Sequence, residues 1–166
     1  DRRAGAPRAS TVWGRGGLKV GPISAWPVGW RGGFGARGHV QAVVAGSGAV
    51  RLLPTSAEGL RKIYQQDAET RAHNFARMQA VGQRVLREVP GAQLSQDHAG
   101  RETDIAIDHS EFTHLPSEAI DAVVRIMQNE GMTPTVSSIH INGWFGAHNK
   151  LSGARWIARE LWSRDL

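Results

Sequence analysis

The 166-residue chain has no cysteine and one tyrosine, and no apolar run approaches the roughly 20 residues of a membrane-spanning helix. Without cysteine there is no disulfide, no zinc–thiolate site and no thiol nucleophile, which suits a cytoplasmic setting. No charged-then-apolar signal segment opens the chain, so it reads as soluble, not exported and without a membrane partner. Acidic residues are nearly missing from the first third: residues 1–50 hold seven Lys/Arg against one acid, residues 51–166 thirteen against fourteen. The net charge of +5 therefore belongs to that third, which also holds 12 of the 20 glycines. Stretches such as "WGRGG" and "WRGGFGARG" would suit an arm on RNA, with arginine on phosphate and tryptophan on bases. Such composition more commonly marks a poorly ordered segment, so residues 1–17 read as a Gly/Arg-rich arm and nucleic acid is not the expected partner.

What is present has the apolar periodicity of a mixed α/β domain. Leu18–Ile23 reads as a buried strand closing at Ser24, and Val40–Ala45 as a second strand. "GSG" then reads as a tight turn leading to a hairpin partner, Ala49–Leu53, while residues 54–64 give only a weak signal. From Asp67 to Val89 the spacing predicts a helix with Phe75, Met78, Val81, Val85 and Leu86 as its apolar stripe, stopped by "PG" at 90–91. Strands follow near Gln93–Gln96 and in "DIAIDHS". Pro116 opens a helix with Ala119, Ile120, Val123, Val124 and Met127 inward, and "TPTVSSIHI" reads as one further strand.

The stretch "SIHINGWFGAHNK", residues 138–150, is the most informative. Alternation puts Ile139 and Ile141 on one side of a strand and Ser138, His140 and Asn142 on the other. Helical spacing resumes at Leu151, Ala154, Ile157, Ala158 and Leu161, so Lys150 stands at a helix start. The positive end of a helix dipole prefers an anion, which makes a lysine there locally unfavourable. A solvated lysine is the ordinary reading, and a phosphate-binding lysine the sharper one. Neither His109 with His114 nor His140 with His148 has the i, i+4 spacing of a helical metal pair, so no metal-ligating residue is assigned.

"GRETDIAIDHSEF", "VSSIHINGWFGAHNKLSGARWIARELW" and "QDAETRAHNFARMQAVGQRVLREVPGA" together resemble haloacid dehalogenase-like (HAD) phosphatases of the large-cap branch that includes sucrose-phosphatase-like and mannosylphosphoglycerate-phosphatase-like enzymes. The resemblance covers residues 60–166 well and 18–50 loosely. It implies an α/β fold: a partial Rossmann-like core from residues 18–53 and 143–166, with an α/β cap inserted as residues 54–142. It also implies a Mg²⁺-dependent phosphomonoesterase acting on a phosphorylated sugar or sugar-acid through an aspartyl phosphate. On that reading Lys150 stabilises the nucleophile and the phosphoryl oxygens, and Ser24 hydrogen-bonds a phosphoryl oxygen, although the usual Gly-Arg after it is here Ala25-Trp26. Arg101, Glu102, Asp104, His140, Asn142 and Asn149 are the candidates for reading the substrate, a small phosphorylated metabolite. Asp104 and Asp108 share a strand face like paired carboxylates, but the family's chemistry resides in the core, so they read as cap residues.

Two departures bear on activity. The family's nucleophile motif, Asp-x-Asp after an apolar strand, is missing before Ser24, and so is the Gly-Asp motif after the helix containing Trp162. The Mg²⁺ ligands are therefore expected outside these residues, and the isolated chain is expected to be inactive. The alternative is a noncatalytic cap-like module that binds a metabolite or partner and carries a basic arm.

Overall fold

In the computed structural model the described residues are 12–13, 19–20, 43–54 and 60–162. Ser24, most of the N-terminal arm and the strand expected at 18–23 thus lie largely outside them, apart from two short strands, β1 (Val12–Trp13) and β2 (Lys19–Val20), paired antiparallel.

The remaining residues build two sheets, each covered by helix. The first comprises β3 (Val43–Ala45), β4 (Val50–Pro54) and β5 (Leu60–Tyr64), in that order and antiparallel. The hairpin around "GSG" is as the sequence indicates, whereas β5 falls where the local signal is weak. Its register, Val50 opposite Tyr64 and Pro54 opposite Leu60, places it in the same sheet as residues 43–54. Helix α3 (Lys150–Trp162) packs on this sheet through Ile157 and Ala158, both at most 2% exposed.

The second sheet has the order β6 (Gln93–Leu94), β7 (Ile105–Asp108), β9 (His140–Trp144), β8 (Thr133–Val136), again antiparallel throughout. The segment that reads as one strand, "TPTVSSIHI", is two: Ser137 accepts from the His140 amide and donates to its carbonyl, folding β8 back on β9. Helices α1 (Ala68–Glu88) and α2 (Ser117–Asn129) cover one face. Their apolar stripes meet Ile105, Ile107 and Ile141 of the sheet in a core that includes Met78, Val81, Val85, Val123, Ile126 and Met127. Each such side chain removed from water contributes roughly 1.5–3 kcal/mol. Gly143 is the close approach here, since a Cβ on it would lie 2.7 Å from Met127 Sδ.

The helix ends follow from local chemistry. Asp67 caps α1 by accepting from the Thr70 amide at 2.8 Å, and Val89 ends it before Pro90. Gly131, at φ +81, closes α2 while the Met132 amide bonds Met127 O at 2.9 Å, a Schellman ending. Two apolar positions expected inward are not. Phe75 is 42% exposed on α1 and Leu151 58% exposed on α3. Every described strand pair is antiparallel, so the parallel strands of a Rossmann-like core are not among them.

Gly153 gives a test of how tightly α3 is seated. In a helix interior, Gly→Ala ordinarily gains about 1 kcal/mol. Here the new Cβ would lie 2.7 Å from Gly48 O and 2.9 Å from Gly48 Cα, backbone atoms that cannot rotate aside. The clash outweighs the propensity, and Gly153→Ala is expected to lower stability by about 1–3 kcal/mol in urea unfolding. A stabilised variant would show that α3 does not press on the turn.

Candidate functional site

The two sheets meet at the turn between β3 and β4. Gly46, Ser47 and Gly48 adopt φ +57, 55 and +106 in succession, a left-handed run in which serine is the exception. A non-glycine residue pays about 1–2 kcal/mol there. Ser47 recovers a contact in return: its hydroxyl donates to Asp104 Oδ2 at 2.7 Å in a buried bond. Gly46 lies against Thr103, whose hydroxyl donates to Gly46 O, and Gly48 lies against Asn149 O and Lys150 N. The turn is therefore wedged between the start of α3 and the residues leading into β7.

From Asp104 a charged network runs onto the face of the four-stranded sheet opposite α1 and α2. Arg101 is 6% exposed, and its Nε and Nη2 donate to the two Asp97 carboxylate oxygens at 2.8 and 3.1 Å. Its Nη1 is shared between Asp104 Oδ1 at 3.2 Å and Asn142 Oδ1 at 3.3 Å. Burial pushes the Asp104 carboxyl above the usual range, more than Arg101 and Ser47 lower it. Burial also acts against Asp97, but its bonds to Arg101 and Ser95 outweigh it and hold that carboxyl low.

Asp108, the other acid on this strand, is occupied differently. Its Oδ1 accepts from the Ser110 and Glu111 amides and its Oδ2 from Phe112 and Thr113, so it is the anchor of the following loop. Burial would raise its pKa, and these amides hold it below the usual range. His140 bonds Glu111 at 2.8 Å. Glu102 points the other way, accepting from Lys62 and Tyr64 of β5; burial, then the Glu102 bond, push the Tyr64 phenol up to about 12. Glu102 thus staples β5 to the β7 approach, away from Asn142.

At α3 the sequence expectation holds in position: Lys150 is its first residue and is exposed. Asn149 is the N-cap, with Oδ1 accepting from the Ser152 amide and its own amide donating to Ser152 Oγ, both at 2.8 Å. Trp144 joins sheet to helix start, its Nε1 donating to His148 O at 2.8 Å and its ring stacked 6.0 Å from the imidazole. Burial alone holds His148 below its ordinary pKa. Of the residues singled out from sequence, Arg101, Asp104 and Asn142 are thus brought into one network beside Lys150 and Asn149. Glu102 and His140 have separate partners, and Ser24 is not described. Ser47, Asp97 and Trp144 complete the arrangement; only "GSG" signalled the first, and neither of the others carries a sequence signal of its own.

A cleft of about 680 Å³ runs between β5 and the flank of α3, lined in part by Tyr64, Gln65, Asn149, Ser152, Arg155 and Trp156. Tyr64 donates to Glu102, Gln65 to Gly48 O and Ser152 to Asn149 O, so these groups already serve the fold. Among the described residues no three His, Asp or Glu side chains gather as a metal site, and no helix is long and apolar enough to cross a membrane.

This mixed α/β fold resembles part of the HAD-fold phosphatases. The chain is similar to a trehalose-6-phosphate phosphatase related protein at 12% identity and TM-score 0.51, over 74% of this chain and 49% of that one. It is likewise similar to the sucrose-phosphatase of Synechocystis sp. PCC6803, solved with sucrose and phosphate, at 12% identity and TM-score 0.51 over 74% and 48% of the two chains. The chain thus spans about half the length of these structures. No family model matches it, and no curated protein matches its sequence significantly. The sequence resemblance is borne out at the level of fold.

The buried network sets a pH-dependent stability. Asp97 and Asp108 have depressed folded-state pKa values, so their contribution is present above about pH 4 and is lost as pH falls through those lower values. Asp104, raised by burial, has the opposite sign. Arg101→Met removes the cation from two carboxylates and is expected to cost about 3–5 kcal/mol at pH 7. That cost shrinks as pH is lowered, because Asp104, raised by burial, takes up a proton before Asp97 does. Urea unfolding of both proteins between pH 4 and 8 measures this, and a pH-independent difference would refute the assignment.

Proposed function

We propose that the chain is the substrate-closing and lysine-bearing part of a HAD-like hydrolase, a phosphomonoesterase acting on a phosphorylated sugar or sugar-acid. The carrying observation is the placement of Lys150. It opens α3, where the helix dipole disfavours a cation, and it adjoins the Gly46–Gly48 turn that leads through Ser47, Asp104 and Arg101 to Asn142. A phosphoryl group beside Lys150 would relieve the local charge and leave its alcohol portion toward the polar sheet face. The two likened structures, one a sucrose-phosphatase solved with sucrose and phosphate, support a sugar phosphate as the substrate class.

In this reading residues 54–142 act as the cap, residues 18–53 and 143–166 belong to the core, and Ser24 holds a phosphoryl oxygen. The protein acts in the cytoplasm. HAD-fold phosphatases are typically Mg²⁺-dependent, and bound Mg²⁺ would offset the phosphoryl charge. The described residues do not form a ligand set for it, so the chemistry derived for them is confined to binding. Lys150 holds and polarises the phosphoryl oxygens. Arg101, Asp104 and Asn142 shape the sheet face, and the four-stranded sheet excludes water from one side.

The 166 residues contain no Asp-x-Asp, so the chain alone is expected to bind phosphate without releasing it from sugar phosphates. Calorimetric titration with inorganic phosphate should show Lys150→Ala about tenfold weaker or worse, the loss of one charge-assisted hydrogen bond. Unchanged affinity in that variant would remove Lys150 from the site. Phosphate release that survives Lys150→Ala would place the chemistry elsewhere.

A further inference from the structure

Strand β5 ends its sheet, and among the described residues no strand pairs with its outer edge. Which of its backbone groups face that edge follows from the ladder. The Gln65 amide donates to Ala49 O at 2.9 Å, and hydrogen-bonded pairs alternate along antiparallel strands. Arg51 with Ile63 and Leu53 with Arg61 therefore bond across, while Val50 with Tyr64, Leu52 with Lys62 and Pro54 with Leu60 do not. Pro54, which has no N–H to give, falls on a non-bonded pair, as this phase requires. The N–H and C=O groups of Leu60, Lys62 and Tyr64 thus point outward, about 7 Å apart along the strand. The edges of the second sheet differ: β6 has two residues, and β8 is interrupted by Pro134.

Beside this open edge lies the cleft between β5 and α3. Ile63 and Arg51 are directly opposite and share a face, and the Arg51 guanidinium lies 4.8 Å from the ring centroid of Trp156, so α3 overlies that face. Ile63, Leu151 and Trp156 give the cleft an apolar wall. Arg155 and Arg159, one helical turn apart, give it charge, and none of the described residues lining it is acidic. Arg61, two residues before Ile63, is exposed on the same face. We infer that this groove binds an extended acidic segment of another protein, which adds as a strand alongside β5 and sends alternate side chains under α3. Main-chain bonds to Lys62 and Tyr64 supply affinity, and the arginines with Leu151 and Trp156 supply selectivity. A second copy of this chain does not suit the groove, because its own β5 would set Arg61 and Lys62 against the same cations. Residues 1–50, with one acid, do not suit it either. The inference makes no use of Lys150.

Fluorescence anisotropy on the full chain tests it with a labelled Glu-Thr-Leu-Thr-Glu-Thr-Glu peptide. Residues opposite Lys62 and Tyr64 turn their amides to β5 and their side chains away from α3; the intervening ones do the reverse. With the glutamates and leucine in the cleft, N-methylation of the three threonines should weaken binding about tenfold or more, and N-methylation of the glutamates and leucine about twofold or less. Arg155→Glu should weaken it about tenfold, with a smaller effect at high salt. Lys62→Pro removes an outward N–H that the β4 ladder does not use and should abolish binding, whereas Lys62→Ala, which loses the same ion pair with Glu102, should retain it. Equal effects of the two methylated sets, or the reverse order, overturn the added strand even if Lys62→Pro fails to fold. An oligouridylate of equal charge that binds as tightly would make the groove a cationic patch for nucleic acid and overturn the acidic-peptide assignment. Absence of saturable peptide binding at low salt overturns the inference outright.

Discussion

The Gly46–Ser47–Gly48 turn is held in a left-handed run between Thr103 on one side and the start of α3 on the other. Three consecutive left-handed residues leave no room for a Cβ on Gly46, which meets Thr103, or on Gly48, which meets Asn149. Ser47 is tolerated because its hydroxyl reaches Asp104. The turn is thereby a point at which the first sheet, helix α3 and the residues leading into the second sheet all touch. Were it displaced, Lys150 would lose its position relative to the sheet face that carries Asn142, and Asp104 would lose one of its two partners.

Burial on the far side of that contact explains why the charged groups are where they are. Arg101 is taken out of water, which is costly, and only its simultaneous bonds to Asp97, Asp104 and Asn142 offset the loss of hydration. Such a network is rigid because moving any member strands the others. Asp108 achieves the same at the opposite end of β7 with backbone amides in place of a cation, and so holds the loop that carries Glu111 against His140. Between these two anchors the sheet face is fixed, and unengaged hydrogen-bonding groups on a fixed surface can discriminate among ligands at little entropic cost.

Local chemistry and periodicity were legible wherever one sheet or helix face decides the pattern. The helices at 68–88 and 117–129, the hairpin about "GSG", the strand "DIAID" and the position of Lys150 at a helix start all follow from spacing, caps and turn residues. The strand at 60–64 was not, because "LRKIY" has a mixed pattern and becomes a strand through pairing with β4 and through Glu102, 38 residues from Tyr64. Nor was the turn at Ser137, where a run of strand-forming residues hides a fold-back that a serine hydroxyl bonded to His140 makes.

The sequence by itself determined that this is a mixed α/β chain, that its basic residues are concentrated in the first third and that a lysine opens the last described helix, since composition and period depend on neighbours within a few positions. Only the tertiary structure decided which polar residues are support and which are available. Arg101 and Asp104 look alike in sequence as readers of a ligand. Burial and long-range partners, Ser47 for one and Asn142 for the other, engage them within the protein and leave the amide of Asn142 facing outward. That distinction depends on contacts spanning 57 and 41 residues, which no local pattern encodes.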